Sequence, residues 1–114
     1  MVLSSEARAT GAFCPHGDFA LAGAAQGPLH GLTFAVKDIF DVAGHVTGGG
    51  NPDWLAKHGP APRHAASVQA LLAAGAGILG KTITDEFAFS LNGQNFHYGT
   101  PKNAVTPDRI PGGS

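Results

Sequence analysis

The 114-residue sequence contains a single cysteine, Cys14. Without a second thiol there is no internal disulfide and no two-cysteine metal site within the chain, and a lone thiol fits a reducing compartment. Charge is scarce as well: Asp, Glu, Lys and Arg make up 13% of residues, against a usual share of roughly 25%. Seven basic residues against eight acidic ones give a formal charge of -1, which lacks the basic footprint needed to hold nucleic acid or an anionic bilayer. Neither is expected as a partner. No apolar run approaches the roughly 18 residues of a membrane span, and residues 1–11 lack the apolar stretch of a signal peptide. A soluble, cytoplasmic protein is therefore the expectation. Glycine is in excess, at 17 residues, about twice its ordinary share. Hydrophobic residues make up 43%, which excludes a disordered tail and suffices for one small domain or one piece of a larger one. A surface so poor in charge implies that part of it is normally covered.

Residues 1–26 are rich in Ala, Gly and Ser without a clean period, and read as a leader segment anchored by Phe13, Phe19 and Leu21. The domain proper then runs over 27–114. In Leu32-Thr33-Phe34-Ala35-Val36-Lys37 the large apolar side chains alternate with smaller ones, which predicts a strand with Lys37 on its smaller-residue face. A glycine-rich loop over 44–50 leads to Asn51-Pro52-Asp53, an N-cap, a first-turn proline and an early acid, so a short helix is predicted over 52–58. Ala65, Val68, Leu71 and Leu72 recur at helical spacing and predict a second helix over 64–74, with Gly75 as its left-handed cap. Residues 77–83 read as a buried strand. Residues 85–91 fit two descriptions, since Phe87, Phe89 and Leu91 alternate like a strand while Thr84-Asp85-Glu86 opens like a helix. The Asn, Gly and Pro content of 92–114 marks a loop.

Gly75-Ala76-Gly77-Ile78-Leu79-Gly80-Lys81-Thr82 fits both G-x-G-x-x-G and G-x-x-x-x-G-K-[ST]. A phosphate loop leaves a strand and opens a helix, so that free N–H groups and the positive helix end meet the phosphate. Here a helix precedes the glycines, and Ile78 and Leu79 would occupy the phosphate-facing turn, so no nucleotide site is expected. His58 and His64 are six apart and His97 is remote, which leaves no helical metal pair. Asp85 and Glu86 are adjacent and point different ways, so they do not form a facing acid pair. Asp38 is a candidate for orienting a loop, and Cys14, without a basic neighbour in sequence, reads as inert.

Lys37 at a strand end and a terminal Gly112-Gly113-Ser114 are individually ordinary. Their surroundings are not. Gly27-Pro28-Leu29-His30-Gly31-Leu32-Thr33-Phe34-Ala35-Val36-Lys37-Asp38, Ala74-Gly75-Ala76-Gly77-Ile78-Leu79-Gly80-Lys81-Thr82, Asp85-Glu86-Phe87-Ala88 and Asp108-Arg109-Ile110-Pro111-Gly112-Gly113-Ser114 occur in that order. The series resembles the N-terminal region of the amidase signature family, which reads G-P-L-H-G-[ILV]-x-x-x-V-K-D, A-G-A-x-x-x-G-K-T, D-E-F-A and D-R-x-P-G-G-S. Phe40-Asp41-Val42, Gly50-Asn51-Pro52-Asp53-Trp54-Leu55 and His97-Tyr98-Gly99-Thr100-Pro101 look most like the members that act as indole-3-acetamide hydrolases.

The resemblance implies an α/β fold, the N-terminal part of a single domain with a mixed central sheet covered by helices. It also implies hydrolysis of small amides to carboxylate and ammonia by a Ser, cis-Ser, Lys triad, without cofactor or metal. Lys37 matches the family's lysine, which must be neutral to accept a proton, a state favoured by its place after the apolar Phe34-Ala35-Val36. Ser114 matches the relay serine, which in the family sits on a cis peptide. The nucleophile and the oxyanion donors belong to a later Gly-Gly-Ser segment of the family pattern. The chain thus reads as the N-terminal portion of a longer amidase, truncated within the signature and inactive alone. Its partners would be a small amide and either a second copy or the remaining C-terminal portion. Two other functions fit the same pattern: a non-catalytic amidase-like docking or assembly module, and an amidotransferase A subunit.

Overall fold

A computed structural model describes residues 2–114. A short helix α1 (Ser5–Ala9) and a 3-10 turn (Pro15–Gly17) lead into strand β1 (Ala20–Leu21). Strand β2 (Thr33–Lys37), helices α2 (Pro52–Lys57) and α3 (Ala66–Ala73), strand β3 (Gly77–Thr82) and a second 3-10 turn (Glu86–Ala88) follow. The strands form a mixed sheet in the order β1-β3-β2, with β2 parallel and β1 antiparallel to β3. Parallel strands need a long crossover, and residues 38–76 provide it.

The predicted elements form close to their expected positions, for the local reasons that predict them. Asn51 caps α2 by accepting the Trp54 N–H at 3.0 Å, and Pro52 occupies the first turn. At the end of α3, the N–H groups of Gly75 and Ala76 reach back to the carbonyls of Leu72 and Leu71 at 3.0 and 3.1 Å, with Gly75 at φ +102°. This double bond pattern is the Schellman cap, and a Cβ on Gly75 would meet the His30 backbone at 2.9 Å. Helix α3 is shorter than 64–74 because Ala65 is extended at ψ 150° and gives its N–H to the Asp41 carbonyl at 2.9 Å, while Ala74 is already the C-cap.

The crossover buries Val68 and Leu72 of α3 against Val36, Val42 and Ile78, with Phe19, Phe34 and Ala65 packed around them. Leu71, expected on the same face, is instead 37% exposed and lines a shallow groove with Phe34 and Phe40 beside the free edge of β2. Residues 85–91 adopt neither of the two predicted forms. The Phe87 N–H donates to the Gly49 carbonyl at 2.7 Å, which pulls the chain onto the glycine loop and turns Phe87 and Ala88 into left-handed backbone at φ +52° and +57°. Phe89 and Leu91, 93% and 82% exposed, have no sheet to face.

Residues 12–21 run along the other side of β3. Cys14 N–H donates to the Lys81 carbonyl, Ile83 N–H to Ala12 and Gly80 N–H to Phe19, at 2.8–3.0 Å. The β2–β3 ladder contains one irregularity. Phe34 is opposite Ile78 but Val36 is opposite Lys81, so β3 spends three residues where β2 spends two. The extra residue lies at Leu79-Gly80. Gly80 has φ +76°, and a Cβ there would collide with the Gly17 carbonyl and the Phe13 ring at 2.8 Å. Among the described residues no helix is long and apolar enough to cross a membrane.

Candidate active site

Strand β2 ends at Lys37, and its amine donates to the hydroxyl of Ser114 at 2.6 Å across 77 positions of sequence. The two residues picked out in the sequence are thus brought into direct contact. They line a cavity of about 270 Å³ together with Thr82, Ile83, Asp85 and Pro111. Ser114 follows two exposed glycines, Gly112 at φ +81° and Gly113 at φ +93°. The Gly112 and Gly113 N–H groups donate to the carbonyls of Asn92 and Leu91 at 3.0 and 2.9 Å, and the Thr84 hydroxyl donates to the Ser114 carbonyl at 3.2 Å. No cis peptide bond occurs among the described residues, so the cis bond implied for the relay serine is trans here. A non-proline cis bond costs roughly 3–4 kcal/mol and needs packing to enforce it.

Behind Lys37 lies a second constellation that the sequence reading did not assemble. Asp38 and Lys81 are both fully buried, and the Lys81 ammonium lies 2.9 Å from Asp38 Oδ1. His16 Nε2 is 2.6 Å from Asp38 Oδ2, and the same oxygen accepts the Gly48 N–H at 3.1 Å. The Asp38 carbonyl accepts from Gly49 N–H at 2.9 Å, and its own N–H donates to Thr82 at 3.0 Å. The expectation that Asp38 orients a loop thus has a concrete form, in which it clamps the glycine loop 48–50 to the sheet. Burial would push the Asp38 carboxyl up, but hydrogen bonds from His16 and Lys81 and their positive charge outweigh it and hold the group below the usual carboxylate range. The Lys81 ammonium also donates to Thr47 at 3.2 Å.

Cys14 Sγ, a His16 ring nitrogen and an Asp38 oxygen lie within 4.8 Å of one another, a set able to ligate a cation. The cation already against that carboxylate is Lys81. The sulfur donates to the Lys81 carbonyl at 3.2 Å, and burial, followed by the nearby Asp38 charge, pushes its pKa up to about 12, so it is a neutral thiol rather than a thiolate ligand. This agrees with the inert reading of Cys14, although its neighbours are charged groups that the local sequence does not reveal.

The remaining candidates are dispersed. His58 stacks on Trp54 with ring centroids 3.8 Å apart, and His64 Nδ1 accepts the Ala43 N–H at 3.0 Å. His97 pairs with Glu86 at 2.5 Å. Hydrogen bonds from His97 and Asn51 hold the Glu86 carboxyl below its usual range. Glu86 is exposed while Asp85 is 3% exposed, so the two acids diverge. The stretch at 75–82 has its helix before the glycines, Ile78 is 2% exposed, and its lysine is engaged by Asp38, which leaves no phosphate cradle.

Comparison with known proteins gives one consistent result. A family model described as Amidase matches residues 4–114. "Amidase 1" of Oryza sativa subsp. japonica is 64% identical over 89 residues, covering 78% of this chain and 20% of that protein. "Outer envelope protein 64, chloroplastic" of Arabidopsis thaliana is 53% identical over 87 residues, 76% of this chain and 15% of that protein. Among solved structures, the allophanate hydrolase of Kluyveromyces lactis superposes with a TM-score of 0.69 at 36% identity, covering 76% of this chain and 14% of that one. The chain spans about a fifth or less of the length of these relatives.

Proposed function

This chain belongs to the amidase family, and on that premise we propose that it carries the lysine base and the relay serine of a hydrolase acting on small primary amides. The observation that carries the reading is the 2.6 Å contact between Lys37 Nζ and Ser114 Oγ at the wall of a cavity. When the lysine is neutral, the same contact runs in reverse: the Ser114 hydroxyl gives its proton to Lys37 and accepts one from a nucleophilic hydroxyl. That nucleophile and the oxyanion donors are proposed to come from a segment of the complete protein outside these residues. Attack on R–CO–NH₂ forms an acyl-enzyme, Lys37 returns the proton through Ser114 to the departing nitrogen, and ammonia leaves. Water then releases the carboxylate. No step calls for a metal or cofactor.

Indole-3-acetamide is the proposed first substrate to try, from the residue match at 40–42, 50–55 and 97–101, and a cytoplasmic location is the companion proposal. A second reading, an amidase-like docking module without turnover, is favoured by the 53% identity with an outer envelope protein. One assay separates the readings. In the complete protein, Lys37→Ala should abolish ammonia release from small amides while circular dichroism remains that of the folded enzyme. Near-normal kcat in that variant would remove Lys37 from the mechanism, and no turnover in the unaltered complete protein would favour the docking module. Dependence of activity on a partner subunit and tRNA would instead point to an amidotransferase A subunit.

A further inference from the structure

Ser114 poses a mechanical problem. It is joined to two exposed glycines around which a Cβ would meet nothing, and glycine backbone is the least able to hold a fixed direction by itself. Its hydroxyl nevertheless sits at hydrogen-bond distance from Lys37. The buried Thr84 hydroxyl donates to the Ser114 carbonyl at 3.2 Å, and the two glycines are held by backbone bonds to the carbonyls of Leu91 and Asn92, in a loop whose Leu91 is 82% accessible.

The loop is tied down by a carboxylate. Asp85 is 3% exposed, and its Oδ2 accepts the Ser90 hydroxyl and the N–H groups of Asn92 and Gly93, the latter two at 3.3 Å. Asp85 is fixed in turn: its carbonyl accepts the Ala88 N–H at 2.7 Å, and Asn95 Nδ2 bridges the Thr84 and Gly50 carbonyls at 2.9 Å each. Resting on the reading of Lys37 and Ser114 given above, we infer that Asp85 is a positioning residue for amide hydrolysis: its carboxylate fixes the 90–93 loop, and that loop holds Ser114 against Lys37. Donors converging on an ionised oxygen make stronger bonds than donors on a neutral acceptor. Asparagine in the same place keeps the shape but loses the charge.

The test uses the complete protein and ammonia release from a small primary amide. Asp85→Asn is expected to lower kcat by about 10–100-fold with KM within about twofold, since misplacing a reacting group by ~1 Å costs about 10² in rate. Ser90→Ala, which removes one donor, should lower kcat by roughly 3–10-fold, and Ser90→Thr, which keeps the hydroxyl, should restore it to within about twofold. A role in stability alone would lower the melting temperature and leave kcat of the folded fraction intact. A folded Asp85→Asn enzyme with kcat within twofold of the parent overturns the inference. If that variant fails to fold, an unchanged kcat in Ser90→Ala overturns it instead. Lys37→Ala is measured alongside. If it keeps its turnover, the underlying reading has failed; if it is dead while the Asp85 and Ser90 variants run normally, only the positioning role falls.

Discussion

Lys37 and Lys81 leave neighbouring parallel strands at the same end of the sheet, one register step apart, and have opposite surroundings. Lys81 has no exposed surface and faces a buried carboxylate and the hydroxyl of Thr47. Lys37 is half-buried, faces a serine hydroxyl and lines a cavity. Removing one member of such a buried pair leaves the other charge without a partner in the interior, which is the costly change. The Lys37 amine instead meets the neutral hydroxyl of Ser114 at 2.6 Å. The difference between the ion-paired lysine and the one proposed as the base is therefore made by the partner rather than by the strand.

The comparison breaks most readily at Lys81. Lys81→Met leaves Asp38 buried without its ammonium and should cost about 3–5 kcal/mol in urea unfolding, whereas Lys37→Met should cost no more than about 1 kcal/mol. Equal losses would mean that the two lysines play the same part. Next in size is the thiol behind the ion pair. With its pKa pushed from 9.0 to about 12, Cys14 should react with iodoacetamide at pH 9 on the order of 10³-fold more slowly than in the urea-unfolded chain. Comparable rates in the two states would show that the Cys14 pocket is open.

Acid gives a smaller, graded effect. The Asp38 carboxyl is lowered from 3.8, so its contribution to stability is present above the unfolded value and is lost as pH falls through 3.8 toward the folded one. Melting temperatures at pH 7, 5 and 3 should therefore drop mainly in the last interval, and the drop should shrink in Asp38→Asn. An undiminished drop would assign the acid sensitivity elsewhere, with Asp18 and Glu86, also lowered, the next carboxylates to substitute. Smallest of all, calorimetric titration with ATP, GTP or NAD should give no binding heat. Micromolar affinity for any of them would require a phosphate where Ile78 packs.

The legible part of the molecule was the local part. Asn51 and Pro52 at one helix start, Gly75 at another helix end and the alternation ending in Lys37 each depend on neighbours within a few residues, and each appears in the fold. Lys37 and Ser114 were legible through a motif series, although 77 positions separate them and no local rule predicts their contact. The Asp38, His16 and Lys81 cluster was not legible. Its members come from three segments, and strand alternation places Lys81 on the face opposite Ile78, whereas the extra residue at Leu79-Gly80 turns it to the buried side. A glycine directly before a lysine inside an apolar strand was the available signal. The turn at Phe87 and Ala88 was missed because a distant carbonyl, that of Gly49, dictates it.

That extra residue acts on the strand as a frameshift acts on a message. Upstream of it, β3 is read in the phase that packs Ile78 against the core; downstream, the phase is inverted and the same strand delivers a charged side chain to an interior acid. One strand thereby serves two grammars, hydrophobic and ionic, on either side of one irregular step in its ladder. The switch depends on a single backbone position that tolerates no side chain. Substitution at Gly80 is thus the wrong way to edit this strand, because the instruction is carried by residue count: a one-residue deletion there would return every downstream side chain to the opposite face and send Lys81 out to solvent.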